Sequence, residues 1–260
     1  MKKERLTKSN VLFTASLIPH GNGKLLDYDN PDTGISFRYA QFNTRAIIDC
    51  PFRSKGCEAV CYATKGNHQF PSVRKSRERA YTESKRADFA ERMVYTIRYH
   101  LETKRYRNSV MIVRIHESGD FYSVQYLRKW VKIWEAMEGN DKVQFVFYTK
   151  SFRFFIMLTD DEKTIIRDMM KAGQLAINLS IDDTTTKAQR EAYLDMLTAF
   201  PLANTYRVTK DTKDGDDLCD CANCAKCGAC NKAQSGHKVV KIHSASNADV
   251  DIYTENMGRE

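Results

Sequence analysis

Eight cysteines are the residues of this 260-residue chain whose type and spacing could do chemistry. They fall into two groups, Cys50, Cys57 and Cys61, and then Cys219, Cys221, Cys224, Cys227 and Cys230. A disulfide framework, or a set of core thiols, would be scattered along the chain, and a reducing cytosol disfavours disulfides. Thiols gathered at gaps of two and three residues read instead as metal ligands.

The second group, LCDCANCAKCGACNK, places a cysteine at every third position from 221 to 230, with Cys219 just ahead. It resembles the ligand run of ferredoxins, which carries thiolates to a 4Fe–4S cluster. A zinc knuckle is the alternative, with His237 or His243 as a spare ligand. Five thiols exceed what one zinc needs, so the extra one could complete the first group. That first group, CPFRSKGCEAVC, has the spacing Cx6CxxxC. Three thiolates on a cubane leave one iron open to a substrate or cofactor; a fourth from the C-terminal run would make the centre structural or electron-carrying.

The elements must bring these groups into place. Hydrophobic residues make up 42% of the chain, enough to bury a core, which excludes a disordered or collagen-like chain. The longest apolar run, 154–158, is too short for a membrane span. The charged start MKKERLTKSN leads into no apolar signal region, so a cytoplasmic location is expected. Residues 1–34 read as a polar lead-in with turn signals. A β-branched and aromatic strand is expected over 35–48, running into the cysteine loop, and a helix over 72–107, where Phe89, Met93, Ile97 and Leu101 recur. Strands over 109–115, 143–148, 175–181 and 205–209 then alternate with three helices. The first carries Val124, Leu127, Val131 and Trp134. The second carries Ile165, Ile166, Met169 and Met170, with Asp160 or Asp161 as its cap. The third carries Ala188, Ala192, Met196 and Leu197, capped within 184–186. A last strand is expected over 238–243.

Alternating strands and helices mean a parallel α/β sheet. About six strands fit an incomplete (β/α) TIM-like barrel over 35–215, with a cysteine-rich segment over 216–260; a doubly wound open sheet is the second choice. Active groups belong at the C-terminal ends of such strands. Those ends carry Cys50, then His116-Glu117-Ser118-Gly119-Asp120, Thr149-Lys150-Ser151, Ser180 with Asp182 and Asp183, and Arg207, Thr209 and Lys210. Gly119 would let backbone approach a ligand closely.

The chain carries a net charge of +8, and +6 of it falls within residues 72–107, with Tyr81, Tyr95, Tyr99 and Tyr106 interleaved. A nucleic-acid backbone is one partner for that stretch, through Arg74, Lys75, Arg77 and Arg79. A solvated helix face braced by i,i+4 pairs is the other reading.

The order strand, three-cysteine loop, helix, strand ending in glycine and carboxylate resembles the radical S-adenosylmethionine (SAM) superfamily of partial (β/α)6 barrels. The spacing here differs from the CxxxCxxC usual there. The motifs CPFRSKGCEAVCYA (50–63), FPSVRKSR (70–77), HESGDFYS (116–123) and CANCAKCGAC (221–230) resemble the phage gene-product-88-like family. The resemblance implies a 4Fe–4S cluster on Cys50, Cys57 and Cys61. It also implies a SAM amino group at Asp120 beside Ser118 and Gly119. Lys150, Asp182, Arg207 and Lys210 would meet carboxylate, ribose or substrate. An electron donor, a nucleic acid or nucleotide substrate and the cytoplasm of a bacterial or phage-infected cell follow as expectations. A zinc- or cluster-stabilised nucleic-acid-binding module, or a redox sensor, stands against the enzyme.

Overall fold

The computed structural model describes residues 27–219 and 229–241, with the backbone of 18–19. Eight strands form one sheet in the order β1-β3-β4-β5-β6-β7-β8, with β2 paired to β3 beside that path. The strands are β1 Ile18–Pro19, β2 Tyr28–Asp29, β3 Ser36–Phe42, β4 Val110–Ile115, β5 Val143–Thr149, β6 Leu175–Asp182, β7 Asn204–Thr209 and β8 His237–Lys241. From β3 to β8 every pairing is parallel. β1 and β2 run antiparallel to β3. The sheet curls into an open half-barrel. From β3 to β8 strand order follows chain order without a reversal, so these described strands make no switch point of the doubly wound kind.

The helices are α1 Lys55–Ala59, α2 Pro71–Lys85, α3 Phe89–Leu101, α4 Val124–Met137, α5 Phe152–Ile156, α6 Asp160–Lys171 and α7 Lys187–Ala199. Alternate residues along each strand serve the two faces of the sheet. One face joins the main core, where Phe42, Met111, Val113, Phe145, Phe147 and Ile177 pack with Phe89, Trp130, Trp134 and Met169 of the helices. The other is a smaller cluster of Tyr39, Ile112, Val146 and Ala176, with Tyr28 and Phe37 packed against it.

Three departures from the sequence expectation have local causes. The helix expected over 72–107 is two, broken at 86–88 with no glycine or proline in the break. There Lys129 of α4 donates to the carbonyls of Ser84 (2.8 Å) and Arg86 (2.7 Å), and Arg86 clamps Asp88 at 2.8 Å and 2.9 Å. The end of α2 is therefore satisfied from another helix. The cap of α6 is Thr159, in a reciprocal capping box with Glu162, ahead of the expected aspartates. The lead-in contributes β1 and β2, each two residues long, too short to show a period.

At the C-terminal rim, the segment after β3 is laced to the segment after β4. His116 N donates to Phe42 O at 2.8 Å, Glu117 N to the Asn43 side chain at 2.7 Å, Thr44 N to Ser118 O at 3.0 Å and Asp120 N to Asp49 O at 3.0 Å. Gly119 sits in the crossing with φ +84°, and a Cβ there would lie 2.0 Å from Thr44 Oγ1. Both the dihedral and the space demand glycine. Gly119→Ala should therefore cost about 2–4 kcal/mol of stability, as a dihedral penalty plus overpacking. Urea unfolding of the variant checks this, and a loss below about 0.5 kcal/mol, the range of an ordinary surface change, would contradict it.

Candidate metal centre

The loop from β3 to α2 carries the first three cysteines, and it is held at several points. Its first turn is built on Asp49, buried, whose carboxylate accepts from Arg45 N at 2.8 Å and Arg45 Nη2 at 2.7 Å. The Arg45 guanidinium lies 3.4 Å from the centre of the Tyr81 ring, a cation–π contact. Within this turn Ile47 takes φ 65°, and at the facing loop His116 takes φ 61°. Left-handed backbone at a β-branched residue is strained and persists only where surrounding contacts over-determine it.

The second part of the loop is tied to β6. Ser54 caps α1 by accepting from Cys57 N at 3.1 Å and donates its own hydroxyl to Asp182. Gly56 N donates to Thr184 Oγ1 at 2.7 Å. The third part is tied to β4 and α2: Tyr62 donates its hydroxyl to Glu117 O, and Arg77 Nη1 donates to Ala63 O at 3.1 Å.

Cys50, Cys57 and Cys61 consequently line one cavity of about 260 Å³. Its other walls are Ala46, Arg53, Tyr62 and Ala63 of the same loop and the strand ends, namely His116 to Asp120 after β4, Tyr148 to Lys150 at the end of β5 and Ser180 of β6. Cys50, Cys57, Cys61, Cys219 and Cys230 are free thiols. Burial pushes the Cys50 thiol up. Cys57 is pushed up to about 11, by burial first, against the lowering influence of Lys150. Burial also raises Cys61. Such thiols keep their protons until a cation displaces them, so metal binding here would release protons. Among the described residues, no three His, Cys, Asp or Glu side chains stand close enough together to hold a single ion.

The expected cofactor residues divide. Ser118, Gly119, Asp120 and Lys150 line the cysteine cavity. Their polar atoms are already engaged within the protein. Ser118 Oγ donates to Thr44 O at 2.8 Å. Asp120 accepts from Thr149 Oγ1 at 2.7 Å, Lys150 N at 2.9 Å and Phe121 N at 2.7 Å, while burial raises its carboxyl. The close approach permitted by Gly119 is to Thr44, where the sequence reading places a ligand. Asp182 stands behind Lys150, which donates to it at 2.8 Å and to Ser180 O at 3.1 Å. Arg207 pairs with Asp183 at 3.2 Å. Neither Arg207 nor Lys210 is among the residues that line the cavity.

Of the second group, Cys221, Cys224 and Cys227 lie outside the described residues. Cys219 N bonds Val239 O of β8 at 2.8 Å. Cys230 sits in a short turn against β6 and β7. Asn178 Nδ2 donates to Cys230 O at 3.0 Å, Asn204 Nδ2 to Lys232 O at 2.7 Å and Asn231 Nδ2 to the Tyr39 hydroxyl at 2.6 Å. The turn carrying Cys230 also packs against β5. Burial first and then the nearby Cys230 raise the Tyr148 hydroxyl, and Tyr148 lines the cavity of the first group. Residues some 170 positions apart thus lie near one tyrosine.

The four basic residues proposed for nucleic acid do not share a face. Arg74, Lys75 and Arg79 are exposed on α2. Arg77 is buried, bonded to Ala63 O and to His68 Nδ1, so it holds the cysteine loop. Spacing alone put it with the others. A three-residue step from Arg74 turns it toward the loop, and only the loop's position tells which flank is buried. Tyr62, Glu117 and Tyr148 line the cavity as well; their place at strand ends and beside Cys61 was the signal available for them.

An α/β half-barrel with a cysteine-lined cavity at the C-terminal rim is the class of protein that fold and site define. The family model described as Gene product 88 matches residues 16–233, and the chain belongs to that family. No curated protein and no solved structure matches it. Among the described residues no helix is long and apolar enough to cross a membrane.

Two outcomes follow from this geometry. Lys150 and Asp182 form a buried ion pair, so Lys150→Met should cost about 3–5 kcal/mol by stranding the carboxylate, while Lys150→Met with Asp182→Leu should cost clearly less. Urea unfolding of the two variants decides it, and equal losses would refute the coupling. His116 is held neutral, pushed down to about 3 by burial and then by the charge of Arg114. The unfolded chain takes up a proton near the ordinary imidazole value, about 6.5, that the folded chain refuses. Stability should therefore fall as pH drops from about 6.5 toward about 3. His116→Gln should flatten that limb in melts taken across pH, and an unchanged slope would exclude His116 as its source.

Proposed function

We propose that this protein is an iron–sulfur protein of radical-SAM-like architecture, in which Cys50, Cys57 and Cys61 hold a 4Fe–4S cluster at the rim of the half-barrel. The observation that carries this reading is the single cavity lined by three thiols from the loop after the first parallel strand, walled by the ends of the next three strands. Three thiolate donors suit an iron–sulfur cluster or zinc better than a hard cation. A cluster with an open iron would supply one-electron reduction of a bound sulfonium cofactor.

The chain's own residues have definite tasks under this reading. Ser54 fixes Cys57 by capping the short helix that carries it. Lys150 sets a cation beside Cys57 and favours its thiolate. Ser118, Gly119 and Asp120 shape the wall against which SAM would lie, and Asp120 keeps that wall bound to β5. Tyr148 lines this cavity and lies near enough to Cys230 to be raised by it, so an auxiliary centre on Cys219, Cys221, Cys224, Cys227 and Cys230 would lie close to the first. Its role would be electron relay or substrate anchoring.

Anaerobic purification with iron, acid-labile sulfide and zinc analysis tests the reading, together with visible and EPR spectra. Two cubanes correspond to about eight irons and eight sulfides per chain, and Cys57→Ser should remove about half of each. SAM should then bind the wild type and fail to bind Cys57→Ser. Zinc without sulfide would sink the iron–sulfur assignment and favour a metal-stabilised binding module.

A further inference from the structure

Behind the cysteine loop lies a second cavity, of about 200 Å³, between that loop and α2. Arg45, Arg74, Arg77 and His68 line it, with Glu78 as the one carboxylate among the described residues of its wall. Ala46 and Ala63 belong to the walls of both cavities. We propose that this cleft is a phosphate-binding subsite whose ligand is the backbone of a single-stranded nucleic acid, threaded so that a neighbouring nucleotide reaches the cysteine cavity. Only the last clause rests on the cluster reading; the phosphate contact stands without it.

The central observation is Arg77. It is 6% exposed, and its guanidinium meets the neutral acceptors Ala63 O and His68 Nδ1, with no carboxylate in ion-pair range among the described residues. Its Nε is buried without a partner. Burial pushes the Arg77 guanidinium down, and the charge of Glu117, which makes no ion-pair contact with it, opposes that only in part. An incoming anion would remove more of the cost of burial. Guanidinium forks match phosphate oxygens in pairs. His68 accepts from Arg77 at Nδ1, which leaves Nε2 as an N–H donor. Arg45 is shared with Asp49 and Glu78, so Arg74 and Arg77 carry the charge offered to a ligand.

Two exposed rings that adjoin lining residues of the cleft, without lining it themselves, separate nucleic acid from an acidic peptide. Phe70 (55% exposed) heads α2 one turn before Arg74, and Tyr62 (42% exposed) stands edge-on to His68 at 5.4 Å. Exposed rings beside a guanidinium-lined cleft are the combination by which unpaired bases stack while phosphates are neutralised. Lys75 and Arg79 are exposed elsewhere on the same helix. An acidic peptide would use the charges and leave the rings idle.

The test is fluorescence anisotropy of a labelled oligothymidylate on the anaerobically purified full chain, as a function of salt. Arg74→Gln, at an exposed position where folding is safe, should weaken binding about fivefold and reduce the salt slope by about 0.7. Phe70→Ala should weaken it about fivefold or more through lost stacking. Arg77→Gln should weaken it at least as much, read only if its melting curve remains cooperative. Unchanged affinity in both Arg74→Gln and Phe70→Ala would overturn the proposal. So would displacement of the probe by oligoglutamate at the same charge concentration. Iron and sulfide are measured on the same samples: a chain without a cluster that still binds with these dependences retains the phosphate site and loses the cluster reading.

Discussion

The carboxylate of Asp182, at the end of β6, takes the ammonium of Lys150, the residue after β5, and the hydroxyl of Ser54 at the head of α1, while Thr184 donates to it from its backbone N–H and its hydroxyl. Burial would raise this carboxyl, but the charge of Lys150 and these hydrogen bonds outweigh it and hold it below the usual range. The price of removing both charges from water is met only because nearly every lone pair has a donor. Two parallel strands and the helix bearing Cys57 are thereby fixed to one another, so the position of that thiol depends on an ion pair formed by residues about 100 positions downstream.

The same economy governs the rest of the rim. Loops after parallel strands must satisfy backbone groups that the ladder no longer serves. Here the segment after β3 and the segment after β4 satisfy each other, through Asn43, Thr44, Ser118 and Asp49. Residues of the kind that bind ligands elsewhere are therefore consumed in building the wall. Beyond that wall the cavity offers sulfur from three cysteines, with Arg53, Glu117 and Lys150 among its charged lining. This is why the thiols, and not the Ser118-Gly119-Asp120 group, carry the functional reading.

The half-barrel's inner surface is also used. Asn178 and Asn204 are bonded to each other at 3.0 Å and both receive the turn around Cys230. Buried amides on adjacent strands are costly unless fully paired. Their pairing with backbone carbonyls of 230 and 232 gives the C-terminal segment a defined seat beside β6 and β7.

Much of this was legible in the residues themselves. The alternation of apolar runs with 3.6-residue periodicity announced six parallel strands, and the observed set β3 to β8 is that series. Thr186 was within the expected cap, and Cys50, Cys57 and Cys61, grouped by their spacing, line one cavity. Periodicity and ligand spacing are local properties, so they survive the absence of a structure. The break between α2 and α3, the burial of Arg77 and the internal use of Asp120 depended on partners remote in sequence, namely Lys129, Ala63 with His68, and Thr149. A polar side chain reads the same whether it faces a ligand or a neighbouring loop, because its hydrogen-bonding capacity is fixed and its partner is not. Residue type and spacing determined which groups could do chemistry; tertiary packing decided which of them were left with an unspent bond or charge.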